Sequence, residues 1–378
     1  MADSLSIYLV LLFLHLSECV SYLRTQTIAF FHVQGPRLGF ANLVGSGRGR
    51  LLPLNPLPPL RPVFLCHLFP ISLSPTHVSS PIASHIDGAT TGDQKKIVIA
   101  YKDIASVTNK GTYICINGDR FSSAGSERHA RYVVDIVRDL LLMHSADSRE
   151  KAIDEMLRTS FDRTKAMEDL EGYKSATVQL RILCNCQFMF LYIVAPAVVL
   201  SFGSSSVLIP LAGYALFLSV LISINFYFAH RLLWKDESSE RVSTITKTLL
   251  CPPMGLRVTD IISRDILSRY NPLTVASILS NEKHFASFAR KLILDLRYPI
   301  CDAPLRGVPV AVEEWFRAAI DKHCVAFLRS NGWSDERLLT VPAANNASVR
   351  SYCPRCWTQY TFTHGDCSEC NGVHTERY

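Results

Sequence analysis

From residue 182 to residue 230 the sequence contains no Asp, Glu, Lys or Arg. That gap excludes an ordinary solvated surface, which would carry charge over such a length. One helical crossing of a bilayer core takes about 20 apolar residues, so the stretch has room for two. Its middle, Phe202-Gly203-Ser204-Ser205-Ser206, is small and polar. The expectation is a two-helix transmembrane hairpin over 184–229. A lone channel is not favoured, because ion and proton paths through membranes are marked by ionisable side chains.

Other absences narrow the function. There is no HExxH, GxSxG, DxD or phosphate loop with a GK[ST] ending, so no catalytic class is signalled and no catalytic residue is assigned. Gly45-Ser46-Gly47-Arg48-Gly49 shares only its glycine content with a phosphate loop and reads as a turn. Adjacent residues on a helix diverge by about 100°. Neither His323-Cys324 nor Glu313-Glu314 is therefore set up as a nucleophile–base or paired-carboxylate site. No Lys or Arg precedes Arg24, whereas a signal peptide needs a basic start. The apolar segment 5–23, followed by Arg24 and Arg37, reads as an N-terminal transmembrane anchor with its N-terminus outside.

The chain does hold twelve cysteines. Eight are scattered in mostly apolar surroundings, the pattern of reduced thiols and not of a secreted disulfide framework. Hydrophobic residues make up 48% and the net charge is +6, a balance that fits a few membrane helices plus soluble parts. Lys174 and Arg181 precede the uncharged run, and Arg231 and Lys235 follow it. Basic flanks collect on the cytoplasmic side, so three spans leave both soluble segments and the C-terminus in the cytoplasm.

The first soluble segment is rich in Pro and Gly up to residue 96, with Leu51 to Leu60 expected as a loop or edge strand. KIVIAY, IASV and TYICI then read as strands over 96–116, and Asn117-Gly118 is a strong hairpin signal. Ser126 is placed to cap a helix that carries Ala130, Val133, Val134, Val137, Leu140 and Leu141 on one face. A meander of short strands closed by one helix resembles a pleckstrin-homology or GRAM-like barrel over roughly 50–143. The resemblance implies a small β-rich domain at a membrane. Residues 147–180 alternate in charge and read as a helical connector. Residues 236–340 read as a helical domain, with helices over 257–270, 282–297 and 312–330, Pro272 ending the first and Asn331-Gly332 the last. Arg290, Lys291 and Arg297 read as a solvated face.

The motif with specific chemistry is Cys353-Pro354-Arg355-Cys356, then residues 357–366, then Cys367-Ser368-Glu369-Cys370. Two CxxC knuckles offer four soft thiolates, which select zinc, with iron the main competitor. The spacing over 351–372 resembles a zinc ribbon, with Cys353, Cys356, Cys367 and Cys370 as the metal ligands. Trp357 stands where such a knuckle usually has glycine. A closed four-cysteine site has no open position for catalysis, so structural Zn2+ is expected, with His364 and His374 as bystanders. Arg350, Arg355 and Arg377 balance Asp366, Glu369 and Glu376. Nucleic acid is disfavoured, and protein contact through Trp357 or Tyr360 is favoured. Cys184 and Cys186 lack a third ligand nearby.

Together these features predict an α+β integral membrane protein with three transmembrane helices, a small β-rich cytoplasmic domain, an α-helical cytoplasmic domain and a C-terminal zinc ribbon. The expected role is scaffolding, assembly or regulation beside membrane lipid. The alternative is a membrane enzyme or transporter-complex subunit with no recognisable catalytic motif.

Overall fold

Among its described residues, the computed structural model has four three-stranded antiparallel sheets and a larger set of helices. It describes residues 6, 27–33, 39–43, 60–66, 70–80, 97–124, 126–202, 207–234, 239–279, 282–298, 308–341, 343–370 and 373–378. Apart from Ser6, the expected anchor at 5–23 lies outside these residues, as do the turn at 45–49 and the proline-rich run up to residue 59.

The first sheet has the order β2-β1-β3, from β1 (Thr27–Val33), β2 (Gly39–Leu43) and β3 (Leu60–Cys66). Pro62 is tolerated because β3 is an edge strand. These strands were not expected from the Pro- and Gly-rich composition. The 96–123 stretch divides between two further sheets. β4 (Ser72–Leu73), β5 (His77–Ser79) and β6 (Val98–Ala100) form one. β7 (Val107–Lys110), β8 (Tyr113–Ile116) and β9 (Asp119–Ser123) form the other. Asn117 (φ 54°) and Gly118 (φ 91°) make the β8–β9 turn, since a two-residue hairpin needs positive φ at both positions.

Helix α1 (Glu127–Leu142) starts where expected, with Ser126 Oγ accepting the His129 N–H at 3.0 Å. Its buried face is Ala130, Val133, Val134, Val137 and Leu140. The charged connector is two helices, α2 (Ala146–Ser160) and α3 (Arg163–Ala176). Their apolar minority, including Ile153, Leu157, Ala166 and Leu170, is buried. Arg149 of α2 reaches back to the end of α1. Its guanidinium donates to Leu140 O (3.0 Å), Met143 O (2.7 Å) and Pro75 O (3.3 Å). It thereby satisfies carbonyls that a helix C-terminus leaves unpaired.

The uncharged run forms two helices long and apolar enough to cross a membrane, by length and composition. The first is α4 (Val178–Met189), a π-helical turn (Phe190–Val194) and α5 (Ala195–Phe202); the second is α6 (Leu208–Leu233). Of their apolar windows, 33% and 28% are buried. After them come α7 (Ser239–Leu250), a 3-10 turn (Pro252–Arg257), α8 (Val258–Leu267), α9 (Pro272–Leu279), α10 (Glu282–Arg297) and α11 (Val308–Ser330). Pro272 does not follow the end of a helix; it opens α9 at the first helical position, where its missing N–H costs nothing. Gly332 (φ 78°) closes α11, with Trp333 N–H donating to Leu328 O at 2.9 Å.

One hydrophobic core runs through the sheets and helices outside the hairpin. It joins Leu73 and Val78 of the sheets, Val133 of α1, Leu157 of α2, Ile266 of α8 and Phe316 of α11. The base of the hairpin belongs to the same core through Leu180, Cys184, Ile222 and Phe226. A second cluster, Phe190, Leu191, Ala195, Ala215 and Leu218, packs the two hairpin helices together further out.

Two polar contacts brace this body. The Glu127 N–H donates to Glu240 Oε2 (3.1 Å) and the Glu240 N–H donates to Glu127 Oε2 (3.2 Å). The starts of α1 and α7 therefore cap each other, as carboxylates at helix N-termini do. Arg264 of α8 bridges to Glu240 and, at 3.3 Å, to Asp265.

Candidate metal centre

The C-terminal module is built on β10 (Ser351–Tyr352), β11 (Gln359–Tyr360) and β12 (Glu376–Arg377), in the order β11-β10-β12. Such short strands bury little, so the loops must be fixed by other means. The first knuckle leaves β10 at Cys353. The Cys353 N–H donates to Thr358 O and the Trp357 N–H to Cys353 O, each at 2.9 Å. Trp357 has a φ of 62°, so the tryptophan adopts the left-handed conformation a glycine would take without strain. In the second knuckle the Cys367 N–H donates to Val373 O at 2.9 Å.

These turns bring the four predicted ligands together. The Sγ atoms of Cys353, Cys356, Cys367 and Cys370 all lie within 4.8 Å of one another. The Cys356 and Cys367 sulfurs are 3.5 Å apart. A metal with metal–sulfur bonds of about 2.3 Å needs tetrahedral edges of about 3.8 Å, so the group fits an ion. Cys353, Cys367 and Cys370 are buried and Cys356 is exposed.

The environment sets the protons. Burial pushes the Cys353 thiol up to about 11 and pushes Cys370 higher still. Burial acts on Cys367 in the same direction. Hydrogen bonds from the Tyr360 hydroxyl (3.1 Å) and from the Cys356 and Cys353 thiols outweigh it and bring Cys367 down to about 7. Cys367 thus ionises ahead of Cys353 and Cys370, and a cation that displaces the remaining protons binds with proton release. His364 and His374 lie outside the cluster. One contacts Arg377 and the other contacts Asp366 at 2.5 Å.

The module is seated on α10. The Arg290 guanidinium stacks over the Trp357 ring at 4.5 Å, and Tyr298 packs on the cysteine cluster while donating to Glu376 at 3.4 Å. Two of the cations read as a solvated face are therefore used internally, since Arg297 pairs with Asp321 at 2.9 Å. Trp357 faces the helical body. Tyr360 stacks on Phe362 at 4.7 Å, with Phe362 exposed.

The other sequence candidates do not converge. His323 turns to Asp154 of α2 (3.0 Å), which also accepts from Lys322 (3.1 Å). Cys324 is fully buried and its thiol is pushed well above the ordinary range by that burial. Cys184 is buried and donates to Gly255 O at 3.4 Å, whereas Cys186 is exposed. Sequence reasoning passed over Gln187. It is fully buried at the base of the hairpin, and its Nε2 donates to Ser219 Oγ (3.1 Å) and Pro252 O (2.7 Å). An amide inside an uncharged run was the available signal. No family model matches this chain, and neither does any curated protein or solved structure, so the barrel resemblance over 50–143 gains no support from relatives.

Proposed function

We propose that this chain is a non-enzymatic scaffold, assembly or regulatory protein, held at a membrane by its hairpin, with a zinc-bearing module for protein contact. The observation that carries the reading is the joint between hairpin and body. Leu180, Cys184, Ile222 and Phe226 sit in the soluble core, while Ile193, Phe202, Ile209 and Phe217 further out are exposed. Exposed apolar side chains in such number mark contact with lipid or protein. A hairpin returns the chain to its starting side, and its basic flanks support a cytoplasmic position for both soluble segments. An anchor at 5–23 then leaves the N-terminus outside. The reducing cytoplasm suits four thiolates, and zinc is the closed-shell ion that prefers four sulfurs in a tetrahedron.

The test is carbonate extraction, metal analysis and affinity capture from detergent, on the full chain and on a Cys353→Ser/Cys356→Ser variant. Retention in the pellet, stoichiometric zinc and a discrete partner set that the variant loses are the expected results. A co-purifying small molecule with no protein partner would favour the enzyme or transporter-subunit alternative.

A further inference from the structure

The structure limits how far the hairpin can enter a bilayer. Helix α7 turns back along α6. Arg241 stacks over Tyr227 at 5.3 Å near its start. At its other end Thr248 lies beside Gly255, whose other near neighbour is Gln187, and Gln187 bonds both Ser219 and the Pro252 carbonyl. The 3-10 turn at Pro252–Arg257 therefore lies at the level of Ser219, near the midpoint of α6. Lys247 is exposed at this same level. A lysine there must reach water or headgroups, because a charge in the hydrocarbon core is costly.

Beyond that level the described residues of the hairpin are apolar, and Ile193, Val194, Phe202, Ile209, Tyr214 and Phe217 among them are exposed. This outer portion runs from Gln187 to Phe202 on one arm and from Ser219 back to Leu208 on the other. At 1.5 Å per residue these are about 22 Å and about 16 Å, against about 30 Å for the hydrocarbon core and about half that for one leaflet. Along α6, exposed Val220, Ile224 and Phe228 extend the apolar surface to Arg231. The level of Lys247 and the length of this apolar row set different boundaries, and both are met when the hairpin enters obliquely, which shortens its depth further.

We infer that the hairpin is a wedge seated in one leaflet, its apolar faces covered by the acyl chains of that leaflet, and that it does not reach the far side. This rests on the membrane-anchor reading above and replaces the crossing expected from the length of the uncharged run. Lysine position, apolar exposure and outer length converge on it, and both soluble segments still face the cytoplasm.

The experiment places a cysteine in the connection between the helices, Ser205→Cys, in the full chain in sealed microsomes, with the unsubstituted chain as background. A charged, impermeant maleimide is added outside, then after permeabilising the vesicles, then after dissolving the bilayer in detergent. The wedge gives no Ser205→Cys signal above background until detergent is present. Labelling that appears on permeabilisation means a full crossing and overturns the wedge while leaving the anchor intact. Release of the chain by carbonate, as a monomer or with the hairpin covered by a second copy, removes the anchor and the wedge together.

Discussion

Trp357 carries two opposed effects at one position, and they can be separated. Its φ of 62° costs a residue with a side chain roughly 1–2 kcal/mol. Its ring, 4.5 Å from the Arg290 guanidinium, returns about 0.5–2 kcal/mol. Trp357→Ala keeps the strain and loses the stacking. Because the knuckle forms as the metal binds, zinc affinity should fall about 2- to 30-fold. Trp357→Gly also loses the stacking but removes the strain. After glycine's larger chain entropy is subtracted, about 1 kcal/mol remains in its favour over alanine, or about fivefold in affinity. Arg290→Met should reproduce the alanine loss in the unsubstituted chain and cost nothing more in a Trp357→Ala background. The assay is competition for zinc between the full chain in detergent and a chromophoric chelator. Equal affinity of the glycine and alanine variants would refute the strain. An Arg290→Met loss that persists in the alanine background would refute the stacking.

Three other predictions use different parts of the fold. A Cβ on Gly255 would lie 2.9 Å from Gln187 Oε1 and 3.0 Å from Thr248 Cγ2, so Gly255→Ala should cost about 1–3 kcal/mol. An unchanged thermal midpoint in detergent would contradict this close approach between the 3-10 turn and the hairpin. Arg149→Met removes charged hydrogen bonds to Leu140, Met143 and Pro75 carbonyls and should cost about 1.5–3 kcal/mol, read from a denaturant midpoint. Burial pushes Asp265 up to about 6 although Arg264 lies 3.3 Å away. Its folded pKa is then above the unfolded carboxylate value, so the folded state holds the proton more tightly. Its contribution is most favourable below about pH 4, declines by about 2–3 kcal/mol as pH rises to about 6, and is flat above that. Asp265→Asn should remove that slope from urea melts across the range; a slope that survives would assign it to another group.

Local chemistry was legible in the sequence. The Asn117-Gly118 turn, the Ser126 cap, the Glu282–Arg297 helix and the Gly332 stop follow from rules that act within a few residues. The four cysteines were legible for the same reason, since two CxxC spacings nearly define a four-thiolate site. The strands at Thr27–Val33 and Leu60–Cys66 were not, because Pro and Gly around them masked the alternation.

The sequence by itself determined that a long uncharged run would fold into two apolar helices and that four thiols would meet at the C-terminus. Both are properties of composition and spacing, which any chain conformation must respect. Only the tertiary structure decided what those parts are attached to. Glu127 and Glu240 cap each other's helices across 113 residues, and Asp154 meets His323 across 169. Gln187 holds Pro252 against the hairpin, and Trp357 stacks under Arg290. Such contacts depend on how helices return upon one another, and periodicity along the chain carries no record of that. The return of α7 along α6 is the case with the largest consequence: hydropathy sets how much of the chain is apolar, but packing sets how much of that apolar surface stays exposed.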